Sequence, residues 1–142
     1  VAQHWRPSGL CKAWYENRQI KAVCHMKRGK RHGMYKQWFK NGNLQFQCNV
    51  KHGKHQGEHK TWHKNGQLKE HCYVKDHKVH GVQKKWHDNG KLKVKCTIKD
   101  EKAEGEYKQW FMNGRLHVHC FMKNGKEDGK YKRWHASGQL LL

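Results

Sequence analysis

Acidic side chains are scarce in this chain. Its 142 residues hold 11 Asp and Glu against 31 Lys and Arg, a formal net charge of +20. Proline is almost missing, with Pro7 the single instance. No apolar run approaches the roughly 18–20 residues of a membrane-spanning helix, which excludes that element. The start, "VAQHWRPSGL", lacks a charged cap followed by an apolar stretch, so no secretory leader is visible. The chain opens on Val1 instead of Met and breaks off within a repeat at "GQLLL". A fragment or processed chain is therefore expected, and a missing leader carries no weight. Only 35% of residues are hydrophobic, too few for a thick core, yet seven Trp argue against a disordered basic tail. The length fits one domain.

What is present is repetition, the first thing to look for in a sequence. Gly9, Gly33, Gly57, Gly81, Gly105 and Gly129 lie 24 residues apart. Trp14, Trp38, Trp62, Trp86, Trp110 and Trp134 keep the same step, as do Ile20, Leu44, Leu68, Leu92, Leu116 and Leu140. Cys24, Cys48, Cys72, Cys96 and Cys120 form another ladder. Five full copies and one half copy fill residues 9–142, and residues 1–8 read as a lead-in or partial repeat.

Each copy places two short runs around Asn-Gly and then a second polar turn, which is the spacing of stacked β-hairpins. Glycine and Asn-Gly interrupt every 24 residues, so helix is not expected. The fold class that follows is all-β, an antiparallel meander with two strands per copy. A two-residue loop at Asn41-Gly42 would set Trp38 against Gln45, whereas a three-residue loop, Lys40-Asn41-Gly42, sets it against Leu44. The longer loop is preferred, and strict alternation then gathers Trp38, Leu44, Phe46, Cys48 and Val50 on one face. Ser137 at an Asn position fits a type I turn, and Arg18 at a Gly position is expected to bring strain or a looser turn.

The pattern "GMYKQWFKNGNL…VKHGK" resembles the MORN repeat, in particular the shorter variant of bacterial antitoxin-like proteins and giant viruses, from Gly9 to Leu140. The resemblance implies an elongated, single-layered, arched sheet. It also implies scaffolding, dimerisation or binding to lipid and protein, without a common catalytic residue. The Cys ladder and the uniform lysines depart from it.

Equivalent positions two strands apart sit about 10 Å from each other, beyond the roughly 7 Å that a disulfide spans. Ladder cysteines are thus expected as reduced, buried small hydrophobes, in an intracellular reducing compartment. Cys11 lies outside the ladder, where three copies have Tyr, and is expected to be the thiol most open to reagents. Fourteen His beside six Cys raise the question of zinc. Neighbours such as His71 and Cys72 point to opposite faces, and C-x-x-C is absent, so no metal or other cofactor is expected. Exposed His would instead add charge at acid pH. No acidic residue recurs in every copy and no nucleotide loop or nucleophile elbow occurs, so an enzyme is not expected.

The lysines remain. Lys12, Lys36, Lys60, Lys84, Lys108 and Lys132 stand two residues before each Trp, and Lys27, Lys51, Lys75, Lys99 and Lys123 hold a second position. Edge lysines keep sheets soluble. A charge of +20 exceeds that need and points to an acidic partner: an acidic protein surface, nucleic acid bound without regard to sequence, or anionic lipid. The reading is a non-enzymatic structural or interaction module, open to homo-oligomeric or larger assembly, with a virion-associated structural protein as one form. Its alternatives are a membrane-surface scaffold and an antitoxin-like inhibitor.

Overall fold

The computed structural model describes residues 3–4, by their backbone, and residues 8–142. The proposed lead-in, residues 1–8, otherwise lies outside the described residues. Strands occupy β1 (Gln3–His4), β2 (Gly9–Trp14), β3 (Ile20–Lys27), β4 (Lys30–Arg31), β5 (Gly33–Trp38), β6 (Leu44–Lys51), β7 (Lys54–Trp62) and β8 (Leu68–Lys75). They continue as β9 (Lys78–Val79), β10 (Gly81–Trp86), β11 (Leu92–Lys99), β12 (Lys102–Ala103), β13 (Gly105–Trp110), β14 (Leu116–Lys123) and β15 (Lys126–Arg133). All belong to one antiparallel sheet laid down in chain order, with β4, β9 and β12 short extensions on β3, β8 and β11. Among the described residues there is no helix and no second layer. The accessible surface is 9397 Å². A compact protein of 17.0 kDa would expose about 7,700 Å². The excess is the cost of a single layer.

The wide turns are three-residue loops, as expected. Gly42 N–H donates to Phe39 O at 3.0 Å, and Phe39 N–H donates to Asn43 O at 2.8 Å. Gly42 closes the loop at φ 91°, a conformation that glycine adopts without steric cost. Arg18 takes φ 70° in the first copy and keeps the same turn bond, so of the strain or looser turn expected there the turn is not loosened and the side chain sits in the left-handed region. The narrow turns between copies have positive φ at both central residues, as at Arg28 (52°) and Gly29 (78°), the twist that suits a two-residue hairpin loop.

One expectation fails. Trp38 does pair with Leu44, but Gln37 pairs with Phe46, so Gln45 is an extra residue on β6. The same bulge adds Lys21, Lys69, Lys93 and His117 in the other hairpins. The first strand has no extra residue, so its alternation holds and Trp38 shares a face with Lys36. Leu44 follows its partner to that face. Phe46, Cys48 and Val50 instead lie with Tyr35 and Gln37 on the other. Strict alternation failed because a bulge adds one residue and breaks the period of two.

The buried core lies wholly on that second face: Cys11, Ala13, Ala22, Cys24, Cys48, Val50, Cys72, Val74, Cys96, Val118 and Cys120. Small side chains suffice because larger neighbours roof them over. Phe46 meets Tyr35 edge-on at 5.9 Å and His59 at 4.6 Å. The aromatic edges add to the area buried.

Beyond the strand pairing, successive hairpins are linked by the turn asparagines, and by Tyr15, His63 and His87 to the Trp38, Trp86 and Trp110 carbonyls. Asn65 Oδ1 accepts from Gln67 N–H at 2.9 Å, and its Nδ2 donates to Asp88 O in the next wide turn at 2.6 Å. Asn17, Asn41, Asn89 and Asn113 make the same two bonds. Asn65→Asp keeps the acceptor and replaces the donor with a charge facing a carbonyl. It should lower stability by roughly 1–3 kcal/mol, read by urea unfolding. A change under a few tenths would show that the staple contributes nothing.

Candidate interaction face

On the face opposite the thiols, the pairing register assembles one unbroken row across the sheet. It runs Lys12, Val23, Lys36, Gln47, Lys60, His71, Lys84, Lys95, Lys108, His119, Lys132, each the direct cross-strand partner of the next. All six lysines of the first set are in it. Lys95 adds a cation that the 24-residue pattern does not reveal. Lys12, Lys36, Lys60, Lys84 and Lys108 are half-buried, as long side chains are when their stems cover a sheet, while Lys95 and Lys132 are exposed.

Two acids interrupt this cationic row. Glu58 sits 3.0 Å from Lys60 Nζ and 3.4 Å from His71 Nε2, and Glu106 sits 3.6 Å from Lys108 Nζ and 3.1 Å from His119 Nε2. The bond from Lys60 holds the Glu58 carboxyl below its usual range, and the contact from His119 does the same for Glu106. Both acids are exposed, and such pairs stabilise little. Their effect is on the surface charge.

The row is bordered by apolar groups. Met34, Tyr73, Val82 and Phe121, each 40 to 46% exposed, alternate onto this face. The Trp–Leu pairs run along its other side. One face therefore combines cations with aromatic and aliphatic surface.

The second lysine set lies elsewhere, at the narrow turns. Lys27, Lys51, Lys75, Lys99 and Lys123 are exposed, and each pairs directly with another lysine: Lys30, Lys54, Lys78, Lys102 and Lys126. The structure thus separates the two sets. Like charges set directly opposite destabilise a sheet; both members of each pair recur every 24 residues, and the register sets them against each other.

The cysteines lie on the back. Cys11 was expected to be the accessible thiol but is 0% exposed. It occupies the core row directly opposite Cys24, because register and not sequence spacing decides its neighbour. None of the six is in a disulfide. Burial pushes the Cys48 thiol up to about 11, and also raises Cys24, Cys72, Cys96 and Cys120.

Histidines cluster where two copies meet. His55 and His59, four residues apart, have ring centroids 6.0 Å apart, and His77 is 5.6 Å from His55. Burial lowers the pKa of both His55 and His59. His77 and Arg31 lower His55 further, and His55 lowers His59, opposed by Glu70. Among the described residues, no group of three His, Cys, Asp or Glu could hold a metal ion.

An open meander of hairpins that offers a repeated surface instead of a cleft is a structural or interaction module. Residues 31–52, 56–76, 79–100 and 127–142 match the family described as the MORN repeat variant, and the chain belongs to that family. The segment between the last two matches folds as the same hairpin, β13–β14, with Trp110 opposite Leu116. The family is in general a non-enzymatic repeat module. Among curated proteins, none matches the chain.

Two outcomes follow. A thiol reagent at pH 8 should modify none of the six cysteines quickly in native protein and all six after denaturation; rapid modification of one or more native thiols would contradict the burial. For His55 and His59, the folded pKa lies below the ordinary 6.5, so the unfolded chain binds more protons just below that pH. Their contribution is full above pH 6.5 and is lost as pH falls through and below that value. Melting temperature should fall with acidification from pH 7 to 5, less steeply in His55→Gln/His59→Gln. Parallel curves would remove these residues as the cause.

Proposed function

We propose that the chain is a non-enzymatic scaffold whose lysine row docks an acidic protein. The observation that carries this reading is the continuous register from Lys12 to Lys132, flanked by exposed Met34, Tyr73, Val82 and Phe121. Aromatic residues and Met are the usual anchors of protein interfaces, and the lysines supply steering and orientation. Single-stranded nucleic acid fits less well. It needs aromatic platforms for successive bases. Tyr73 and Phe121 lie two copies apart, about 20 Å. A reducing intracellular compartment goes with six cysteines of which none is in a disulfide.

The test compares poly-L-glutamate, a single-stranded oligonucleotide and anionic vesicles as probes. Poly-L-glutamate should bind, and more weakly as salt rises. Lys36→Gln, Lys60→Gln, Lys84→Gln and Lys108→Gln together should weaken it roughly tenfold or more, about 1.4 kcal/mol. The control, Lys40→Gln, Lys64→Gln, Lys69→Gln and Lys91→Gln, removes equal charge elsewhere and should change it little. Equal losses would leave net charge as the only determinant. Tighter binding of the oligonucleotide or the vesicles would assign the face to that partner instead.

A further inference from the structure

The narrow turns form a second edge of the sheet, away from the lysine row, and they are not equivalent. Between the first and second of them lies an open crevice of about 300 Å³ lined by Lys27, Arg28, Lys30, His32 and His52, with no acid among them. We propose that this crevice binds a small, multiply charged phosphate-type anion.

Its walls are fixed by the fold. Lys27 and Lys30 are direct cross-strand partners, with Arg28 at the turn between them at φ 52°. Gly53 N–H donates to Arg31 O at 2.9 Å and ties the second turn to the first. His52 N–H lies 3.5 Å from His32 Nδ1, so the two imidazoles sit side by side across the two turns. Three permanent cations thus converge on one space, a self-repelling arrangement that a compact anion relieves. Arg28 offers a fork that matches phosphate oxygens, and the two lysines offer point charges. A phosphomonoester carries about −1.5 to −2 charge at pH 7.

The later crevices are the internal comparison. At the second, Asp76 receives a hydrogen bond from Gln56 at 3.4 Å. The third is lined by Lys75, Asp76, Lys78, Asp100 and Glu101 as well as Val79 and His80, and Lys78 lies 3.9 Å from Glu101. At the fourth turn pair, Asn124 N–H donates to Glu104 Oε2 at 2.9 Å. The protein supplies its own carboxylates at every later step, while the described residues that line the first are cations and imidazoles.

Pyrophosphate, titrated calorimetrically at low and at physiological ionic strength, is the probe for a free ligand. Phosphatidylcholine vesicles with and without phosphatidate present the same chemistry as a headgroup. Wild type should bind pyrophosphate, more weakly at higher salt. Lys27→Gln/Lys30→Gln should lower its affinity roughly tenfold or more, as expected on losing charge-assisted bonds. Lys75→Gln/Lys78→Gln removes equal charge and should have under about a twofold effect, since that crevice already holds Asp76, Asp100 and Glu101. His52→Asp, which installs the acid of the third turn, should act like the first variant. These lysines are exposed, and unchanged melting temperatures would exclude unfolding as the cause. Phosphatidate-dependent vesicle binding that is lost in Lys27→Gln/Lys30→Gln and competed by pyrophosphate would place the same site at a membrane headgroup. No pyrophosphate binding by wild type, or equal losses in the two lysine pairs, would overturn the proposal.

Discussion

Every functional feature of this sheet depends on successive hairpins keeping one register, and, with the strand pairing itself, the turn asparagine enforces it. Its oxygen closes its own loop while its amide reaches the carbonyl of the next, as Asn65 does to Asp88. Neither an aspartate nor a serine can perform both tasks in the same way, because only an amide carries an acceptor and two donors on one plane. With register held, equal positions fall into straight rows, and a 24-residue pattern becomes a patterned surface.

A single layer has little apolar area to bury, and it divides the labour between its faces. The thiol face packs small residues, Cys48 and Val50 among them, under Tyr35, Phe46 and His59. The lysine face has no such roof. Trp38 lies there, half-buried, on the face of Lys36. The bulge at Gln45 makes this division possible, because it turns the Trp–Leu pair away from the thiols. Bulges also increase local twist.

The charge is spent unevenly. In the row, Glu58 and Glu106 compensate two lysines and bring His71 and His119 into the same networks. At the narrow turns, compensation rises along the chain, from none in the first crevice to Asp100 and Glu101 at the third. A chain that needed charge only for solubility would have no reason to leave Lys27, Arg28 and Lys30 without the carboxylates that line the equivalent third crevice. Exact repetition of the fold thus coexists with directed variation in its electrostatics.

Local chemistry was legible in the sequence. The all-β class, the 24-residue step, the three-residue loop and the left-handed position that Arg18 fills all follow from glycine, Asn-Gly and spacing, because turn conformation is set by the residues within the turn. The lysine ladder before Trp was legible for the same reason. What the tertiary structure alone decided concerns neighbours across strands. The bulge moved Trp38 from the thiol face to the lysine face, an effect invisible to alternation because no residue type is required at Gln45. Register brought Cys11 against Cys24 and buried it, and inserted Lys95 into the row. It also matched Lys27 with Lys30 and left their crevice without a carboxylate. Sequence fixes what each residue can do locally, but which charges meet is set by pairing between strands.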